Sequence, residues 1–169
     1  ILYNNMLQSL FDSQIKSLGF VMIIIAFMFM LLFRSILLMI IGIIPNLISA
    51  LLVLGLMGIL KLPLDMMTIT IAAITVGIAV DNSIHYIYRF REEFLIHRDY
   101  EKTVKICHST IGNAIFFTGI TVIFGFSILI LSNFIPTIIF GLLTGFAMLV
   151  ALVAVLTLLP KLLISFKPL

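Results

Sequence analysis

From Ile106 to Pro160 the chain reads ICHSTIGNAIFFTGITVIFGFSILILSNFIPTIIFGLLTGFAMLVALVAVLTLLP, without one Asp, Glu, Lys or Arg. Only the turn signal Ser132-Asn133-Phe134-Ile135-Pro136 divides it. A spanning helix needs roughly 20 apolar residues, so each side of that turn is long enough to cross a bilayer. In lipid each backbone N–H and C=O must be satisfied within its own segment, so open spans are helical. The spacing lacks the two-residue alternation of a membrane barrel. Working outward, three more apolar runs precede this stretch. The expected spans are 18–33, closed by Arg34-Ser35; 36–60, with Pro45 in its first half; 66–88; 110–131; and 137–159, before Pro160 and Lys161. The expected fold is all-α integral membrane, with five transmembrane helices in a domain covering 18–169. The whole composition agrees: 63% of the 169 residues are hydrophobic and 10% are charged, against about 25% charged in a soluble domain. That is too little charge to cover a soluble surface, and too much hydrophobicity for disorder.

The net charge of +3 does not point to nucleic acid, because the basic residues sit between apolar runs and not on one face. They read as orientation signals. If the spans alternate, Arg34, Arg89, Arg91, Arg98, Lys102, Lys105, Lys161 and Lys167 share one side, and Lys16 and Lys61 the other. The richer side is cytoplasmic by the positive-inside rule. The N-terminus is then extracytoplasmic and the C-terminus cytoplasmic, with short outer turns at Lys61–Asp65 and Ser132–Pro136. Segment 89–109 is expected as a cytoplasmic amphipathic loop, either a surface helix or a solvated connector. Residues 1–17 form an extracytoplasmic juxtamembrane segment. Its apolar Leu7, Leu10, Phe11, Ile15 and Leu18 fit a surface helix or an extension of the first span. Cys107 is alone and makes no internal disulfide. The chain opens on Ile1, with no signal peptide, so a piece of a larger protein is expected.

Asp81 is the only charged residue inside any of these spans. At 1.5 Å per residue it lies roughly 22 Å from the outer end of its helix and about 12 Å from the inner end. A carboxylate there costs roughly 2.5–3.5 kcal/mol on insertion scales. Desolvation favours its neutral form, as a proton-loading group requires; the competing reading is a protonated Asp that only ties helices together. Ala73 and Gly77 precede Asp81 by two turns and one, a small-residue stripe that lets another helix approach, so the site is expected in the bundle interior. His85 follows one turn later and is a candidate secondary relay, or an interfacial polar residue. Asn82 can donate and accept. On the fourth span Thr118 and Thr121 share a face near Gly119 and Gly125. They are candidate partners for the acid unless each bonds its own backbone.

Other chemistries lack their residues. No GxxxxGK[ST] motif is present, and no Cys or His cluster has metal-ligand spacing. Ser83 at i+2 faces away from Asp81 and His85, so they make no hydrolytic triad. An intramembrane aspartic protease needs two carboxylates, and one stands here. No enzyme, no metal and no cofactor beyond the proton is expected.

Several motifs in one order resemble the resistance–nodulation–division (RND) superfamily, most closely its MMPL-type branch of predicted exporters. They are Pro45-Asn46, Gly55-Leu56-Met57-Gly58, Leu62-Pro63-Leu64-Asp65, Gly77-Ile78-Ala79-Val80-Asp81-Asn82-Ser83-Ile84-His85 and Arg89-Phe90-Arg91-Glu92-Glu93. Gly112 through Phe126 resembles the next helix, and Leu158-Leu159-Pro160 the close of a repeat. The sterol-sensing domain is a related five-helix block. The resemblance implies one half of an RND-type transmembrane domain, with a second repeat and large extracytoplasmic domains elsewhere in the protein. It implies Asp81, Asn82 and Thr118 at proton-coupling positions. The second position, often acidic or Tyr in the family, is Asn82 here, and Asn113 stands where a basic residue is frequent. The closing Pro160 suggests the C-terminal repeat. The implied function is proton-driven export of hydrophobic or amphipathic molecules from a cell membrane, the bacterial inner membrane foremost. The implied partners are the lipid bilayer, a lipid-like substrate, the missing repeat and outer domains and, at a further level, a homo-oligomer. The alternative is a sterol-sensing-like module that binds lipid and regulates without transport.

Overall fold

Two turns of one design organise one end of the molecule. Residues 2–60 and 66–168 are described in a computed structural model of the chain, without the side chains of residues 2–12, 14, 15, 18, 66–69 and 72. After Phe33, Arg34 takes a left-handed backbone (φ 49°) and Ser35 caps the next helix. After His97, Arg98 does the same (φ 53°), and the Asp99 carboxylate accepts from the N–H groups of Glu101 and Lys102 at 3.0 and 3.3 Å. Each turn ends one helix through a left-handed residue and starts the next through a polar cap, satisfying end groups that lipid could not.

Between the turns lie five helical rods: α1 (Leu2–Phe33), α2 (Ile36–Ile59), α3 (Met66–His97), α4 (Tyr100–Leu131) and α5 (Ile135–Phe166). No strand occurs among the described residues. The fourth rod widens into a π turn at His108–Gly112 and tightens at Ile128–Leu131; the fifth has a π turn at Ala154–Leu158. By length and apolarity α2, α4 and α5 each suffice to cross a membrane, and α1 holds the shorter apolar stretch Gly19–Phe33. The chain is an all-α membrane domain.

The fifth rod is the hub. It packs along α2, α3 and α4, while α1 lies on α2 and α3. Near the arginine turns the core is built from Phe29, Leu38, Ile41, Tyr86, Ile87, Phe90 and Leu159. Farther along, Val53, Met57 and Ile71 meet Leu143 and Ala147. Glycines sit where rods touch. A Cβ on Gly42 would strike the Phe29 ring, and one on Gly141 would lie 2.7 Å from both the Leu129 Cβ and the Phe126 carbonyl. Pro45 does not break α2. The Asn46 amide donates to the Gly42 carbonyl at 2.7 Å, and the Ser49 hydroxyl to the Pro45 carbonyl at 2.8 Å.

Three expectations change. Residues 2–17 continue α1 without a break, so the surface-helix reading gives way to the extension. The 89–109 loop shrinks to Arg98-Asp99, because α3 runs on to His97 and the next rod starts at Tyr100. The physical reason is that the charged tail of α3 is itself a good amphipathic helix. Phe90 and Phe94 are buried and stack at 6.1 Å, and both meet Tyr100. Ion pairs at helical spacing line the adjoining face. The last rod passes Pro160 and ends at Phe166; the π turn just before the proline absorbs its missing N–H and its bulk. The expected outer turn Lys61–Asp65 lies outside the described residues.

Candidate functional site

The third rod has two faces of opposite character. Ile71, Thr75, Ala79, Ser83, Tyr86 and Ile87 are buried against α2 and α5. Ala73, Gly77, Asp81 and His85 form the other stripe, and all four are exposed. The Asp81 side chain is 69% exposed and that of His85 61%. This corrects the expected place in the bundle interior. The four residues do share one helical face, but that face turns out of this five-rod block. Among the described residues no atom comes within 4 Å of a Cβ built on Gly77, so the stripe packs no described helix there.

Asp81 and His85 do meet. The carboxylate Oδ1 lies 3.5 Å from the imidazole Nε2, one turn apart. The same four-residue step continues to Arg89, Glu93 and His97, and each step rotates about 40° around the helix. The ladder therefore winds from the open face towards the side covered by α4. Arg89 Nη2 is 2.7 Å from Glu93 Oε1, and Glu93 Oε2 is 3.7 Å from His97 Nε2. The Glu93 side chain is only 11% exposed, so Arg89 balances a largely buried carboxylate. A loop or surface helix over 89–109 does not pair these lower rungs; the i, i+4 alternation of sign is the sequence signal that marks them.

Other predicted residues fall elsewhere. Asn82 is half-buried beside Asp81. Thr118 and Thr121 are exposed on α4, and the Thr121 hydroxyl donates to the Phe117 carbonyl at 2.8 Å. No hydrogen bond joins Thr118 to Asp81 among the described residues. The fourth rod meets α3 only through its first turns and then leans on α5, so the fold separates the two. Ser83 lies fully inside, donating to the Ala79 carbonyl and accepting from Asn46 at 3.3 Å. Asn46, part of the Pro45-Asn46 motif, is fully buried; among the described residues its Oδ1 and the buried Thr144 hydroxyl have no hydrogen-bond partner. No group of three His, Cys, Asp or Glu side chains suited to a metal occurs among the described residues.

An all-helical block with an acid–histidine couple on an open small-residue stripe defines a class, the all-α polytopic membrane domain. The comparisons narrow it. The sequence model of the MMPL family matches residues 1–166, and the chain belongs to that family. It is 30% identical over 154 residues to a protein of Methanocaldococcus jannaschii described as a membrane protein. That match takes in 91% of this chain and 38% of the relative, so the chain spans well under half of the relative's length. No solved structure matches it.

Proposed function

We propose that this chain is the five-helix membrane block of one repeat of a proton-driven RND-type exporter, with Asp81 as the proton-carrying group. The observation that carries the reading is the open stripe Ala73, Gly77, Asp81, His85. A carboxylate facing hydrocarbon costs roughly 2.5–3.5 kcal/mol, and small residues are what a close helix contact needs. Both features make sense if the remainder of the protein, the second repeat foremost, covers this face. The cargo in this reading is hydrophobic or amphipathic, in line with the family. The place of work is a cell membrane, with the arginine turns on its cytoplasmic side.

The couple supplies the chemistry. Ionised Asp81 attracts a protonated His85; a proton arriving on Asp81 removes the charge and that attraction. Each protonation state then favours a different fit between this stripe and its covering helix, which is how a proton gradient does mechanical work. Because α3 is packed on α2 and α5, and meets α4 only near its start, the moving surface is the stripe against the covering repeat, not α3 against α4. Thr118 keeps a role only through a path the covering repeat completes.

The deciding experiment is substrate efflux by the full-length protein in proteoliposomes under an imposed pH gradient. Asp81→Asn should abolish gradient-driven efflux with normal insertion, because the amide keeps size and hydrogen bonding but cannot titrate. His85→Gln should reduce the rate and shift its pH profile; Thr118→Val should weaken it only in part. Efflux from Asp81→Asn equal to wild type would overturn proton coupling through this residue. Lipid binding without any efflux in the wild type would favour the sterol-sensing-like module.

A further inference from the structure

A groove runs between the start of α4 and the end of α5, at the end of the molecule that carries the arginine turns. Its inner part, about 540 Å³, is walled by Val104, Leu156, Pro160 and Ile164, with His108 and Lys161 as its ionisable groups and no acid. Its outer part, about 500 Å³, shares Ile164 and is bordered by Arg98, Lys167, Asp99 and Glu101. The character thus changes along one path, apolar inside and charged at the mouth. Both π turns stand at the inner part, His108 opening one and Leu156-Thr157 lying in the other. Such turns widen a helix and recur at functional sites. The Tyr86 hydroxyl holds His108 Nδ1 at 2.9 Å, which leaves Nε2 as the ring nitrogen available to a ligand. Of the two acids at the mouth, Asp99 is engaged in capping the helix through Oδ1.

We propose that this groove binds one anionic phospholipid of the surrounding bilayer, an acyl chain along Val104, Leu156 and Ile164 and the phosphate among Lys161, Arg98 and Lys167. Three observations select that occupant. The groove lies where two rods apolar enough to cross the membrane end in charged residues, the depth at which lipid chains give way to headgroups. Its three cations, Lys161, Arg98 and Lys167, outnumber its two acids, Asp99 and Glu101. Its polarity gradient follows that of a lipid, chain inward and headgroup outward, whereas a soluble phosphate ester has no use for the apolar half. Basic residues at a membrane surface recognise anionic headgroups in this way. The site is separate from the Asp81 stripe and does not depend on proton coupling.

Native mass spectrometry of the full-length protein tests this. The protein is reconstituted in nanodiscs of phosphatidylcholine mixed with phosphatidylglycerol and released into mild detergent. Wild type should retain phosphatidylglycerol in preference to phosphatidylcholine. Lys161→Gln and Lys167→Gln should each lower its retention about fivefold, the effect of one surface cation. Ile164→Trp should fill the groove and abolish retention. Lys102→Gln, an exposed lysine outside both parts, should change nothing. Equal retention in wild type and the lysine variants, or no preference for the anionic lipid, overturns the proposal. Both lysines are exposed, so their variants keep the test decisive even if the tryptophan variant does not fold. Displacement of the lipid by free glycerophosphate would also overturn it, by showing that the apolar half contributes nothing.

Discussion

Asp81 and Ser83 stand two positions apart on one helix and have opposite surroundings. The acid is 69% exposed, while the serine is fully buried and bonded to Asn46 across the α2–α3 contact. Ser83→Ala should therefore lower stability modestly, by about 0.6 kcal/mol and no more than ~1.7, the range for such bonds between membrane helices. Unfolding in mixed detergent micelles measures it. Asp81→Asn should leave the same unfolding curve unchanged or raise it, since it removes a charge and no packed contact. Glu93 and Glu92 make a second contrast. Glu93→Ala strips a carboxylate that is 11% exposed from Arg89 and His97, whereas Glu92, 48% exposed, pairs with Arg89 at 3.4 Å. An exposed pair contributes about 0–1 kcal/mol, so Glu93→Ala should destabilise clearly more than Glu92→Ala. A smaller loss for Glu93 would mean that Arg89 does not depend on it.

At the scale of the helices, glycines divide into those that hold rods together and those that do not. Gly141 has the Phe126 carbonyl and the Leu129 Cβ at 2.7 Å from an added Cβ, and the carbonyl belongs to helix backbone that cannot swing aside. Gly141→Ala should force α5 away from α4 and lower the unfolding midpoint of this block. Gly77→Ala, with nothing in reach, should leave the block's own stability intact and show its effect only where a further helix covers it. The five helical rods were legible as apolar runs broken by Arg34-Ser35, charged residues and Ser132–Pro136, and three of them are long and apolar enough to cross a membrane. Their ends were not. Helical pairing of Arg89, Glu93 and His97 carries α3 beyond the apolar run, and the π turn at Ala154–Leu158 carries the last rod past Pro160. Hydrophobicity marks where lipid begins, while hydrogen bonds and side-chain pairs decide where a helix stops.

For the molecule as a whole, Arg34, Arg98 and Lys167 gather at one end, since alternate rods run in opposite directions. The Arg91 guanidinium binds the Phe33 carbonyl across that end at 3.4 Å. A reporter inserted at Arg98-Asp99 should read cytoplasmic and one at Asn133 extracytoplasmic; the reverse pattern would invert every turn. The open stripe gives a prediction about the rest of the protein. A Gly77→Cys variant should react with a membrane-permeant maleimide in this chain alone and be protected in the full-length protein, while buried Cys107 stays unreactive in both. Equal labelling in the two would show that the stripe faces lipid or water throughout and would remove the support for a covering repeat.

The amino-acid sequence by itself determined that the chain lives in a membrane, that it crosses as helices, and that Asp81 is the one acid within the spans. Composition and run length are enough for these, because lipid leaves the backbone a single open solution and makes an isolated charge conspicuous. Helical spacing also placed Ala73, Gly77, Asp81 and His85 on one face. Which way that face points was decided only by tertiary packing. The opposite face, with Ala79, Ser83, Tyr86 and Ile87, offers the better fit to α2 and α5, and a helix can turn only one side inward. The same packing drew Thr118 away from Asp81, since α4 follows α5 after its first turns. Spacing along one helix is local geometry and can be counted; contacts between helices depend on how all five share their apolar surface.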